Sequence, residues 1–190
     1  MKRLIAPVIV LALALAWAGR ARADIIAAYL QGQGGVSSAS PEGARTSGQS
    51  SSSDNTGLGL TLGMRVLIFE GYVDHTRFGE GQSASRGIVG VRAGIGTEGL
   101  RLVLRAGVGA LVERGGALTE RIPTSLERTG GVARAGASLE AKLATALWGG
   151  IGLDGEAFTL GNTAGEAFGS NAVRGTDLFA SLRLLFEVGI

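Results

Sequence analysis

The chain has 190 residues, with 18 Lys and Arg, 16 Asp and Glu, one His and no Cys. A chain without cysteine forms no disulfide and no thiol-based zinc or redox site. The formal charge of +2 is concentrated in the N-terminal residues, so it gives no reason to expect a nucleic-acid partner.

Lys2 and Arg3 precede an apolar run from Leu4 to Ala18, and Ala21-Arg22-Ala23 supplies a small-x-small cleavage site. This order is that of a secretory signal peptide. The run is short for a spanning helix, which needs ~20 apolar residues. The expected organisation is a cleaved signal peptide at 1–23 and a single domain at 24–190. Cleavage removes Lys2, Arg3, Arg20 and Arg22, leaving 14 basic against 16 acidic residues, a net charge of −2. The exported chain has no disulfide to staple it, and a closed hydrogen-bonded barrel stabilises without one because no strand edge is left open.

Eight segments alternate in polarity. In the first, from Ile25 to Gly34, Ile26, Ala28 and Leu30 oppose Tyr29, Gln31 and Gln33. The second starts near Gly57, with Leu58, Leu60, Leu62 and Met64 against Gly59, Thr61, Gly63 and Arg65. The third, Ile68 to His75, sets Phe69, Gly71 and Val73 against Glu70, Tyr72 and Asp74. The fourth, Ile88 to Ile95, sets Val89, Val91 and Ala93 against Gly90, Arg92 and Gly94. In the fifth, Leu100, Leu102, Leu104, Ala106, Val108, Ala110 and Val112 share one parity, and Arg101, Arg105 and Glu113 the other. This is the period-2 signal of a strand.

The sixth segment, Val132 to Leu143, sets Ala135, Ala137 and Leu139 against Arg134, Ser138, Glu140 and Lys142. Ala133 to Trp148 is also rich in helix formers, with Leu139, Leu143 and Leu147 recurring at i+4, so taken alone it reads as helix about as readily as strand. The need of its neighbours for a partner decides for strand. The seventh, Gly149 to Phe158, sets Ile151, Leu153 and Ala157 against Asp154 and Glu156. The eighth, from Asp177 to the end, sets Leu178, Ala180, Leu182, Leu184, Phe186 and Val188 against Ser181, Arg183 and Glu187. Glycine, at 33 residues, is far above the ~7% average and lies mostly within these segments. Small residues between large charged ones suit a narrow lumen.

Long connections at Val36–Thr56, Thr76–Gly87, Arg114–Gly131 and Thr159–Thr176 alternate with short ones at Val66-Leu67, Gly96–Gly99 and Ala144–Trp148. The turn at Val66-Leu67 lacks Gly, Asn or Asp and follows from a phase switch: a straight strand would turn Glu70 and Asp74 onto the apolar face. Apolar-out, polar-in strands with alternating short turns and long loops describe an eight-stranded antiparallel up-and-down transmembrane β-barrel, an all-β fold. Both termini then lie on the periplasmic side.

With this architecture and the ending Leu184-Leu185-Phe186-Glu187-Val188-Gly189-Ile190, the chain resembles the small eight-stranded outer-membrane proteins of the OmpA-barrel and OmpX-like superfamily. The ending looks like that family's C-terminal assembly signal, though it closes on Ile190 rather than an aromatic residue. The resemblance implies the outer membrane of a Gram-negative-type cell, contact with lipopolysaccharide, and handling by the barrel-assembly machinery during insertion. Phe69, Trp148 and Phe186 are candidates for an inner aromatic girdle, and Phe78, Phe158 and Phe168 for an outer one.

The lumen parity carries Arg65, Arg92, Arg101, Arg105, Arg134, Lys142 and Arg183 against Glu70, Asp74, Glu113, Glu140, Asp154, Glu156, Asp177 and Glu187. Such near-balance is expected of an ion-pair network filling the interior, since eight strands leave room for little more than side chains. A polar path is the competing reading.

His75 takes the apolar parity near the loop end of its strand. Some eight-stranded outer-membrane barrels are lipid A-modifying enzymes that pair a His with a Ser or an acid, and Ser83 or Ser85 would have to supply that Ser here. Asp54, Glu80, Glu120 and Glu127 are scattered without metal-ligand spacing. Gly32-x-Gly34-Gly35 opens a Ser-rich stretch rather than a helix, so it does not make a dinucleotide site.

The expectation is a monomeric, non-enzymatic barrel without cofactor, with a plugged lumen, serving envelope structure or surface interaction. The alternatives are a lipid A-modifying enzyme using His75, a narrow pore, or a secreted soluble barrel. The last would expose a very large apolar face.

Overall fold

A computed structural model describes residues 25–42, 53–116, 118, 127–161 and 172–189. The expected signal peptide, Phe168, Glu120 and Ile190 lie outside these residues. Eight strands form one sheet: β1 (Ile26–Glu42), β2 (Ser53–Val66), β3 (Phe69–Phe78), β4 (Ser83–Gly96), β5 (Leu100–Arg114), β6 (Glu127–Ala144), β7 (Leu147–Gly161) and β8 (Val173–Gly189). Each pairs antiparallel with its sequence neighbours, and β1 pairs with β8, from Ala27 opposite Gly189 to Glu42 opposite Arg174. The barrel is therefore closed, and the fold is the eight-stranded antiparallel barrel that the alternation specifies.

The outer surface is apolar because one parity of every strand points away from the axis. On β2 this face carries Leu58, Leu60, Leu62 and Met64, and on β8 Leu178, Leu182, Leu184 and Phe186, all exposed; Leu58 is 73% exposed. The other parity fills the interior.

Two short connections show how local chemistry sets the barrel's turn end. The β2–β3 connection is Leu67-Ile68, between the paired residues Val66 and Phe69. Leu67 sits at φ 57°, a left-handed conformation that non-glycine residues adopt at a cost, and its N–H donates to Ile25 O at 2.8 Å. At Thr97, the side-chain hydroxyl accepts the N–H of Leu100 at 3.2 Å.

The strands run further than polarity alone marks. β1 continues through Ser37–Glu42, paired on one side with β2 (Ala39 opposite Ser53) and on the other with β8 (Ala39 opposite Asp177). The expected long connection at Thr76–Gly87 is instead a tight hairpin. β3 reaches Phe78, a single 3₁₀ turn spans Gly79–Gly81, and β4 starts at Ser83. Phe78 N–H donates to Gln82 O at 2.9 Å, and Gly81 takes φ 81°. A ladder needs only backbone partners, so it persists where both faces become polar and the alternation fades.

The sixth segment is strand throughout. β6 pairs with β5 from Leu100 opposite Ala141 to Arg114 opposite Glu127, and with β7 along its other edge. Two ladders satisfy every backbone group that a helix would satisfy internally, and they outweigh the helix propensity of its Ala, Leu, Glu and Lys.

Candidate functional site

The interior is filled by side chains in three layers. At the loop end, Phe78, Leu111, Leu118, Phe158 and Leu160 are buried and form an apolar lid. Phe78 and Phe158 were expected in a lipid-facing girdle. They lie inside because Phe158 shares the parity of Asp154 and Glu156, and Phe78 that of Asp74. Glu113, also buried, accepts the N–H of Leu118 at 2.5 Å and stands opposite Arg128 in register. This bond ties the start of the β5–β6 connection into the lid.

Below the lid lies a cluster centred on two aspartates. Asp154 accepts Arg105 Nε at 3.2 Å, Arg134 Nη2 at 2.8 Å and Arg183 Nη2 at 2.5 Å. Asp74 accepts Arg86 Nη1 at 3.1 Å and Arg134 Nη1 at 2.9 Å. Arg86 extends the chain with a two-pronged contact to Glu156, both bonds at 2.7 Å. Four arginines thus meet three carboxylates, reaching across the lumen from β3 and β4 to β7. Glu70 lies beside them and accepts the Tyr29 hydroxyl at 3.1 Å. Asp177 accepts the Ser37 hydroxyl at 2.7 Å. Arg134 Nε is buried without a hydrogen-bond partner among the described residues. The neighbouring void, lined in part by Arg86, Asp177 and Phe179, has a volume of about 10 Å³. That is close to the least a single water occupies.

Nearer the turn end, Glu187 and Glu140 gather a second set of cations. Glu187 meets Arg65 at 3.1 Å and Arg101 at 2.6 Å. Glu140 meets Arg101 at 2.8 Å and accepts the Ser138 hydroxyl at 2.8 Å. Arg92 stands 3.7 Å and 3.8 Å from these two carboxylates and 5.0 Å above the Tyr29 ring.

Arg101 also stacks 3.9 Å over Trp148, which corrects the girdle expectation for that residue. Trp148 shares the parity of Asp154, packs against the interior apolar cluster, and closes the lumen at the turn end. Phe69 and Phe186 do face outward, at 63% and 51% exposure. Lys142 departs from the expected network as well. It is exposed at the barrel mouth, with its Nζ 5.8 Å from the Trp148 ring, because β6 is about to turn there.

Sequence reasoning missed Arg86, which it placed in a connection. Arg86 shares the parity of Ile88 and Arg92 on β4, and its register partner is Asp74; a longer β4 would have exposed it as a lumen residue.

Glycines make room for these groups. A Cβ at Gly136 would collide with the Asp154 carboxylate, and one at Gly152 with the Arg183 guanidinium.

Outside the lumen, His75 is exposed on β3 and faces its register partner Ser85, with Nδ1 2.8 Å from Oγ. This is the spacing of a nucleophile and its base. The residue across from His75 on its other side is Leu60. No carboxylate contacts the imidazole among the described residues. β3 and β4 are ladder-paired on both edges, so their N–H groups are committed and provide no oxyanion hole.

The sequence matches no family model, and the comparison with curated proteins found no match. Among solved structures, the chain is similar to Neisserial surface protein A (TM-score 0.52, 11% identity, covering 83% of this chain and 95% of that one). It also aligns with the N-terminal β-barrel domain of Pseudomonas aeruginosa OprF (TM-score 0.49, 14% identity, 84% and 97%). A third alignment is with the outer membrane enzyme PagL (TM-score 0.47, 14% identity, 85% and 99%). The likeness to Neisserial surface protein A shows that the two chains share a fold, the closed eight-stranded antiparallel barrel.

Proposed function

We propose that the chain is a non-enzymatic outer-membrane barrel whose plugged lumen makes it a rigid, non-conducting scaffold for its outer connections, serving envelope structure or surface interaction. The observation that carries this reading is the continuous filling of the lumen, from the apolar lid through the Asp74–Asp154 cluster to Glu187 and Trp148. Charges this deeply buried are tolerated only when paired, and here their pairing spans the barrel. The apolar belt, with residues such as Leu58, Leu182 and Val89 exposed, supports a lipid surrounding, since a soluble monomer rarely presents so much contiguous apolar surface. Both termini would lie on the periplasmic side. The outward Phe186 and Val188 of β8 suit engagement by the assembly machinery. Planar-bilayer recordings of the purified barrel test the plug: silence is expected, and reproducible conductance steps would establish the pore instead.

The His75–Ser85 contact favours a second reading, an acyl hydrolase acting on lipid A at the outer face. It supplies two parts of a nucleophilic site, and no group that orients the base contacts His75 among the described residues. Mass spectrometry of lipid A from cells carrying wild type, His75→Ala or Ser85→Ala is expected to show identical acylation. Acyl loss that depends on both residues would replace the scaffold reading.

A further inference from the structure

The outward face of β3, β4 and β5 changes character at the loop end. Arg77, Ser83 and Arg114 occupy one register row, Arg77 opposite Ser83 and Ser83 opposite Arg114. The row beneath holds the bonded pair His75 and Ser85, and below it the apolar belt begins with Val73 and Val89. Neighbouring strands lie about 4.8 Å apart, which sets the Arg77 and Arg114 backbones roughly 10 Å apart. Two long side chains bracket a phosphate over such a span.

Arg114 is partly neutralised by Glu127 at 3.0 Å. Arg77 is exposed, faces Leu58 and Ser83 across the ladders, and has no ion pair among the described residues. At the opposite rim the outward-facing Val66, Phe69, Leu100, Phe186 and Val188 are apolar, and the exposed cation there, Lys142, lies at the barrel mouth beside Trp148.

We propose that this patch binds the phosphate of an outer-leaflet glycolipid. Arg77 is the main contact, Arg114 flanks it, and the hydroxyls of Ser83 and Ser85 lie within the same patch. The inference rests on the outer-membrane reading, which sets the loop end in the outer leaflet. A guanidinium–phosphate contact is charge-assisted and about twice as strong as a neutral hydrogen bond. Here it stands beside Leu58 and above Leu60, Val73 and Val89, where acyl chains of the same lipid would lie. An anion bound by charge alone would use any exposed cation of the outer surface. This one is distinguished by an arginine without an ion pair among the described residues, two hydroxyls and an apolar floor in a single patch.

The test uses the purified full barrel in phosphatidylcholine vesicles with diphosphoryl lipid A, followed by detergent extraction and native mass spectrometry of retained lipid. Arg77→Gln is expected to lower retention about tenfold, the loss of a contact worth about 1.4 kcal/mol. Arg174→Gln, exposed on β8, is expected to change it little. Equal retention by Arg77→Gln and wild type would overturn the site. So would equal retention of dephosphorylated lipid A, or displacement by equimolar inorganic phosphate. Cold and boiled mobility on SDS gels is read on the same samples. A wild-type barrel without a heat shift would sink the membrane reading and this site with it; an intact shift with unchanged binding in Arg77→Gln would sink this site alone.

Discussion

Asp154 holds three arginines inside the barrel, and its neutralisation has consequences that follow from the partners left behind. In Asp154→Asn the shape is kept and the charge removed. Arg134 retains Asp74, whereas Arg105 and Arg183 have no other carboxylate at ion-pair distance among the described residues. Arg183 keeps the Ser181 hydroxyl at 3.0 Å. Breaking a buried pair by removing one partner costs about 3–5 kcal/mol, chiefly because the remaining charge is stranded. Two stranded guanidinium groups place this variant at the upper end of that range. The folded-to-unfolded ratio should fall by at least ~100-fold, at about 1.4 kcal/mol per decade. Urea titration of the vesicle-inserted barrel, scored by the fraction keeping the unboiled gel mobility, measures this. Adding Arg183→Met should recover part of the loss, since it removes a stranded charge. A cost below about 1 kcal/mol, the range of exposed pairs, would refute the reasoning, because it would mean that the lumen is hydrated and the charges are screened by water.

Further outcomes follow from the same geometry. Glu127→Gln removes the exposed contact to Arg114 and should change stability by no more than about 1 kcal/mol in the same urea titration. Gly152→Ala presses a methyl group against the Arg183 guanidinium and should cost about 1–3 kcal/mol as an overpacked site. Leu67→Gly relieves the positive φ of the β2–β3 turn and should raise the unfolding free energy in the urea titration by about 1 kcal/mol or less. Leu62→Lys places a charge on the apolar belt midway along β2 and should cost about 2–4 kcal/mol in vesicles; an unchanged midpoint would argue that this face meets water.

The apolar-belted part of the barrel was legible because it imposes two environments at once. Leu100 to Val112 alternate against Arg101 and Arg105 since one parity points outward and the other into the lumen, and the phase switch before Glu70 located a turn that no turn residue marks. Above the belt both faces are polar, and the alternation disappears while the ladder continues. Ser37–Glu42 therefore read as a loop, and Arg86 was lost with the loop around it. The aromatic misreadings have another cause. Phe78, Phe158 and Trp148 lie near strand ends, where a girdle belongs, and that position was weighed above their parity, which they share with Asp74, Asp154 and Glu156. Which cation meets which anion was not legible at all. Arg86 reaches Glu156 across the lumen, from β4 to β7, and a contact of that kind is set by barrel closure and stagger rather than by spacing along the chain.

The proposed insertion of this closed barrel in the outer membrane is tested by gel mobility of the outer-membrane fraction with and without boiling. Every strand is paired, so no edge is open to detergent. A cold band that migrates apart from the boiled one is expected. A single band under both conditions, or protein recovered only in the soluble fraction, would contradict it.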